Sequence, residues 1–237
     1  LLIVNPGQIN SFKSLLGNGS RFGVNINYKI QEKPKGLPEA FILGEKFING
    51  DNVALILGDN FFYGQNLTKT LEKSSVHTNG ARIFLKDVSN PENYGVAKLK
   101  KNKIQYIVEK PKTFISNKAI TGLYFFDKNV CKFSKELKPS KRGELEITDL
   151  LKKYKKLNRL KFELIGRGAI WSDAGKIKDL SNISNYVKSV EEVQNIKIAC
   201  LEEISLNNRW IKKKDILKSI KFYGNCEYSK YLEKIIS

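Results

Sequence analysis

Two aspartates stand out for their surroundings. In residues 55–64, LILGDNFFYG, an apolar run ends at Gly58 and delivers Asp59. In open α/β sheets, ligands bind in the crevice beyond the carboxyl ends of the strands. A carboxylate there, after a glycine that permits close approach, suits a Mg2+ riding on phosphates. A turn or helix-cap role explains the GDN sequence equally well. In residues 166–175, GRGAIWSDAG, two glycines and a large aromatic precede Asp173, and the segment reads as a tight loop carrying a second carboxylate. Two carboxylates on one divalent ion form a standard phosphoryl-transfer arrangement.

Four further segments carry polar groups of useful type. Residues 31–40, QEKPKGLPEA, read as a strand end, a Pro-Lys-Gly loop and a helix start near Pro38, where proline is favoured. The Gln31 amide can both donate to and accept from a pyrimidine edge. A plain strand-to-helix turn accounts for the segment as well. Then come NYGV (93–96), EKP (109–111) and RGELEITD (142–149). Glu109 suits a sugar hydroxyl, Lys110 a phosphate, and Arg142 a phosphate clamp. Each, taken singly, also reads as an ordinary surface charge or cap.

Positioning such residues requires a sheet. Residues 1–5, 24–30, 53–58, 81–85, 104–108, 120–126 and 160–165 read as strands; 11–16, 38–47, 67–75, 129–137, 144–156 and 177–191 read as helices. Alternation of this kind implies an α/β fold with a largely parallel sheet flanked by helices. The segment VALILG (53–58) is apolar throughout, as a central strand covered on both faces would be. Residues 104–108 alternate less cleanly and fit an antiparallel excursion. The Lys-rich tail after Gly175 reads as helical, packed on the sheet or at a subunit contact. The expectation is one domain over 1–237, with a catalytic core at 1–175 and a helical extension at 176–237.

Composition narrows the classes. The 237 residues are 41% hydrophobic and 28% charged, ordinary for a globular protein. The net charge of +18 invites a nucleic-acid reading. The lysines are spread along the chain, however, and no nucleic-acid motif accompanies them, so nucleic acid is not expected as a partner. No apolar run reaches the ~18 residues of a membrane span. Cys131, Cys200 and Cys226 show neither metal-ligand nor disulfide spacing, which favours a reducing, cytoplasmic setting. One histidine, His77 in SSVHTNG, excludes multi-His metal sites and is expected to sit exposed and idle at a helix end. The chain opens on Leu1 and has no Met, so its sequence is expected to be incomplete at the N-terminus.

Taken in order, these segments resemble the glucose-1-phosphate thymidylyltransferases, a sugar-nucleotidyltransferase family. The likeness runs nearly end to end, through PGQINSFKSLLGNGSRFGVNINYKIQEKPKGLPEAFILGEKFI, LILGDNFFYG, NPENYGV, EKP, ITGLYFFD, LKPSKRGELEITD, GRGAIWSDAG and EEISLNNRWI. The resemblance implies a three-layer α/β/α sandwich with a mixed, mostly parallel Rossmann-like sheet, assembled as a homotetramer. It implies that Asp59 and Asp173 bind Mg2+, and that Gln31, Gly36 and Leu37 hold the nucleotide. Tyr94, Gly95, Glu109 and Ile120 are then expected around glucose, and Lys110 and Arg142 at the sugar phosphate. Thr121, Gly122 and Tyr124 are expected to line the same pocket. The implied substrates are dTTP and glucose-1-phosphate, joined by in-line attack on the α-phosphorus to give dTDP-glucose and pyrophosphate.

Two features depart from the family. Its glycine-rich loop with Arg and the following Lys match nothing in residues 1–23, so roughly 50 residues are expected upstream, and the chain without them is expected to be nearly inactive. The usual Asp-Thr-Gly reads Asp173-Ala174-Gly175 here, which loses a hydroxyl. The alternatives are another nucleotide, UTP or CTP, a non-catalytic sugar-nucleotide-binding protein, or a basic RNA-binding protein.

Overall fold

The computed structural model describes residues 1–76 and 79–237; His77 lies outside them. In chain order the elements are β1 (Leu2–Val4), α1 (Ile9–Leu16), β2 (Tyr28–Ile30), α2 (Glu39–Leu43), α3 (Glu45–Ile48), β3 (Val53–Ile56), β4 (Asn60–Gly64), α4 (Leu67–Val76), β5 (Ala81–Asp87), β6 (Gly95–Lys100) and β7 (Lys103–Glu109). They continue with β8 (Lys118–Phe126), α5 (Val130–Lys135), α6 (Ile147–Lys156), β9 (Leu160–Leu164), β10 (Ala169–Asp173), α7 (Ile177–Gln194), α8 (Leu201–Asn207), α9 (Lys213–Tyr223) and α10 (Glu227–Ile236).

The chain forms two compact units, Leu1–Lys33 with Ser184–Ser237, and Pro34–Ile183, rather than one core with a tail starting at residue 176. Each has its own apolar cluster, and that is the physical basis of the division. In the first unit Cys200, Ile211, Ile216 and Leu232 are buried together, with Tyr223, Tyr228 and Tyr231 packed on them. Here β1 and β2 pair in parallel, Leu2 opposite Tyr28. Only the last part of the expected strand 24–30 forms.

The second unit holds a six-stranded sheet in the order β7-β6-β8-β5-β9, with β3 also paired to β8. Strands β3, β5, β6 and β9 share a direction, and β7 and β8 oppose it. The α/β fold with a mixed sheet is therefore as expected, but most neighbouring pairs are antiparallel because β8 lies between β5 and the β3/β6 edge. Among the described residues only a short 3-10 turn and the β6–β7 hairpin lie between β5 and β8, so no helical crossover is there to make these neighbours parallel. The antiparallel excursion expected at 104–108 is the β6–β7 hairpin. Lys101 and Asn102, both left-handed, form its two-residue turn.

The core of this unit joins Ile83, Leu85, Tyr124 and Phe126 of the sheet to one face of α6. In α6, Ile147, Thr148, Leu150, Leu151 and Tyr154 are buried, the 3- to 4-residue spacing of a helix laid on a sheet. The Tyr154 hydroxyl donates to Asp127 Oδ1 at 2.9 Å, which satisfies the polar end of a fully buried ring. β3 differs from expectation. Ala54 and Ile56 are exposed, so one of its faces is open rather than both being covered.

Candidate active site

β8 creates the site by the way its partners are arranged. One edge runs along β5, with a register shift between Ile83 and Leu85. The other edge is shared end to end: β3 takes residues 123–126, and β6 meets β8 at Ala119. Between these partners the ladder is interrupted, and Leu57 N donates to Gly122 O at 2.9 Å in the gap. A cavity of about 230 Å³ opens there. That is below the ~300–1,000 Å³ of pockets that enclose a drug-sized ligand; it fits one moiety of a larger substrate.

Alternation along β8 decides which side chains face it. Ile120, Gly122 and Tyr124 line the cavity. Thr121, expected in the same pocket, does not: one residue out of phase, it is fully buried, and its hydroxyl has no partner among the described residues. Burial first, then the charge of Glu109, pushes the Tyr124 hydroxyl above its ordinary proton affinity.

Asp59 and Asp173, remote in sequence, line this one cavity. The segment expected to be a loop around Asp173 is strand β10, paired antiparallel with β4 so that Asp173 lies opposite Asn60 and Trp171 opposite Phe62. Ala174 N donates to Asp59 O at 2.7 Å and closes the ladder beside both carboxylates. Gly64 makes the pairing possible at the far end; a Cβ there would lie 2.4 Å from Ala169 Cα. Tyr94 packs edge-on to Trp171, with ring centroids 5.2 Å apart. Its hydroxyl holds its proton more firmly than usual, through burial first and then the charge and hydrogen bond of Asp173.

The opposite wall is charged. Gly95 pairs with Glu109, and a side chain at Gly95 would meet Thr148 Cγ2 at 3.0 Å and Glu109 Oε2 at 3.1 Å. Burial, then the neighbouring Glu146, raises the Glu109 carboxyl above its ordinary range, while the Thr148 hydroxyl, Lys110 and Arg142 pull it back. Lys110 has a left-handed backbone, φ +39°, and its N–H donates to Tyr94 O at 3.0 Å. A lysine held in that region carries strain of a kind that clusters at functional sites. Arg142 faces Glu144 at 3.0 Å, Glu146 at 3.8 Å and Glu109 at 4.0 Å.

Leu37 lines the cavity. Gly36, φ +98°, does not; a Cβ on it would lie 2.0 Å from Leu145 O, so backbone approach is what demands glycine there. Gln31 belongs to the first unit, where its N–H donates to Val4 O at 2.9 Å. The sequence reading passed over Asn60, Trp171, Glu146 and Thr148, which also line the cavity. All four stand inside the segments GDN, GRGAIWSDAG and RGELEITD; Trp171 is two residues from Asp173 on one strand, and the others are neighbours of residues already singled out.

Among the described residues, no group of three or more His, Cys, Asp or Glu side chains is placed to hold a metal. The two aspartates are hard oxygen donors, and Mg2+ characteristically takes only one or two protein carboxylates, leaving the rest to water and phosphates. The donor set therefore fits such an ion. No described helix is long and apolar enough to cross a membrane.

A family model described as nucleotidyl transferase matches residues 1–190. The chain belongs to this family. Nucleotidyltransferases generally depend on a divalent metal. The glucose-1-phosphate thymidylyltransferase of Neisseria meningitidis is 44% identical over all of this chain and 82% of its own length. That of Mycolicibacterium smegmatis is 38% identical over the same shares. Among solved structures, a Bacillus anthracis protein assigned as a glucose-1-phosphate thymidylyltransferase, in complex with a sucrose, superposes with a TM-score of 0.73 at 35% identity, covering 85% of this chain and 78% of that one. A UDP-glucose pyrophosphorylase bound to UDP-glucose gives 0.61 at 25% identity, over 69% and 66%.

Proposed function

We propose that this nucleotidyltransferase joins glucose-1-phosphate to dTTP, releasing pyrophosphate and dTDP-glucose. The observation that carries the reading is the β4–β10 ladder, which gives one cavity both Asp59 and Asp173 together with Glu109, Lys110 and Arg142. Identity of 44% to a thymidylyltransferase across the whole chain supports the substrate pair. Glu109 receives sugar hydroxyls against the apolar floor of Ile120 and Tyr124, with Tyr94 and Gly95 at the rim. Lys110 and Arg142 neutralise the sugar phosphate, Arg142 exchanging its carboxylate partners for the incoming anion. A phosphate oxygen attacks the α-phosphorus in line; that P–O bond forms as the bond to the β-phosphate oxygen breaks, and pyrophosphate leaves. The nucleophile is already an anion, so no general base is required, and the work is positioning and charge neutralisation. The cation, read as Mg2+ on Asp59 and Asp173, supplies charge neutralisation at the phosphates when bound.

Gln31 is assigned to the nucleotide on the chemistry of its amide, and Gly36 and Leu37 are assigned on the family resemblance alone. A cytoplasmic setting is supported by the three free cysteines; a homotetramer rests on the family resemblance alone. Turnover of the full-length protein with dTTP, UTP and CTP against a panel of hexose-1-phosphates tests the assignment. The expected result is preference for dTTP with glucose-1-phosphate, and a rise in the dTTP KM on Gln31→Ala of about 5- to 150-fold, from ~1–3 kcal/mol for an unpaired base edge. Equal use of UTP, or an unchanged Gln31→Ala enzyme, would move the nucleotide assignment elsewhere.

A further inference from the structure

Asn60 makes three hydrogen bonds with one amide. Its Oδ1 accepts from Gly122 N at 2.9 Å and from Trp171 Nε1 at 2.6 Å, and its Nδ2 donates to Asp59 Oδ1 at 2.8 Å. A backbone N–H and an indole N–H can only donate, so the carbonyl end of the amide must face them and the NH2 end must face Asp59. The orientation is therefore dictated by the surroundings. The Gly122 N–H lies between the β3 and β6 pairings, on an edge where the described residues place no strand, so the Asn60 side chain takes a strand's place there. Gly122 is shaped to accept it, since a Cβ there would lie 2.5 Å from Asn60 Oδ1 and 2.6 Å from Cγ.

We infer that Asn60 is a positioning residue, which fixes the Asp59 carboxylate toward the divalent cation and ties its orientation to β8 and to Trp171 of β10. The inference rests on the assignment of Asp59 and Asp173 to that cation. The NH2 group occupies one carboxylate oxygen and leaves the other for the ion. Carboxylates that bind metals are held by such outer partners, whose removal typically costs 10–100-fold in metal affinity or activity. No other residue type of this size offers an acceptor for two donors and a donor for a carboxylate at once. Aspartate would place an acceptor against Asp59, and serine would not reach all three groups.

The test is Mn2+ binding to the full-length protein, read by electron paramagnetic resonance in the presence of dTTP, for Asn60→Ala, Gly122→Ala and Asp59→Asn. Gly122→Ala leaves Asn60 in the sequence but displaces its amide, and only the end of a short side chain must move, so the fold survives even if Asn60→Ala unfolds. We expect Mn2+ affinity to fall ~10–100-fold in both alanine variants. In Asn60→Ala, kcat should fall together with the Mn2+ affinity. Wild-type Mn2+ affinity in either folded alanine variant, with Asp59→Asn losing it, overturns the positioning role and leaves the cation site standing. Retention of Mn2+ by Asp59→Asn overturns both.

Discussion

Gly36→Ala separates two explanations of one glycine. The family resemblance gives Gly36 to the thymine, whereas the structure gives it a mechanical reason to be glycine. At φ +98°, an added Cβ would sit 2.0 Å from Leu145 O and 2.7 Å from Leu145 N, and both are backbone atoms that cannot swing aside. The same contact carries the hydrogen bond from Leu145 N to Lys35 O, 2.8 Å long. An L-residue held in that part of φ/ψ space costs ~1–3 kcal/mol, and the broken hydrogen bond adds ~0.5–1.5 kcal/mol. A loss of about 2–4 kcal/mol is therefore expected. Urea unfolding measures it as a lower midpoint at unchanged slope. Glu144, Leu145 and Glu146 all line the cavity, so the glucose-1-phosphate KM should rise with the instability. A variant within ~0.5 kcal/mol of wild type, the ordinary scatter of surface substitutions, would refute the argument. A changed dTTP preference at unchanged stability would restore the nucleotide role of Gly36.

Glu109 should reveal itself by pH. Its folded carboxyl binds a proton more tightly than the unfolded one, whose ordinary value is 4.5. The folded state therefore holds extra proton in that window, and stability falls as pH rises from below 4.5 through the raised folded value. Glu109→Gln should raise the thermal midpoint at pH 7 and lose that advantage well below 4.5, while weakening sugar binding; a midpoint difference independent of pH would contradict this origin. Asp59→Asn and Asp173→Asn should each remove most of kcat with the fold intact, and the double variant should be little worse than either, since both act through one ion. Multiplicative losses in steady-state assays would mean separate roles.

Residue types and local sequence nominate Asp59, Asp173, Glu109, Lys110 and Arg142 only as one of two readings each, and the resemblance of several segments in order is what chooses between them. What could not be read was anything defined by pairing. β4 and β10 are five residues each, flanked by glycines, and neither looks like a strand until it lies against the other. β6 was hidden in the same way, since its turn, Lys101-Asn102, lacks the glycine that usually marks a two-residue hairpin. Neither the antiparallel direction of β8 nor its place between β5 and the β3/β6 edge is legible locally, since both are set by long-range pairing. Thr121 was misjudged because the sequence names the strand but not its phase, and one step along β8 exchanges cavity for core.

The interrupted edge of β8 has a consequence for how durable the site is. Most binding pockets are sculpted by loops, and a loop can collapse, lengthen or wander with a few substitutions. Here the hollow sits at a break in the strand pairing along one edge of β8, between the ends of β3 and β6. Strand order opens the hollow, and residues outside the strands at 57–59, 93–94 and 142–148 complete its lining. Exchanging those side chains retunes what the hollow recognises, but abolishing it would require β3 or β6 to extend along β8 and zip the gap shut. Specificity and existence are thus encoded at different levels of the fold, so the first can drift freely while the second is conserved by topology.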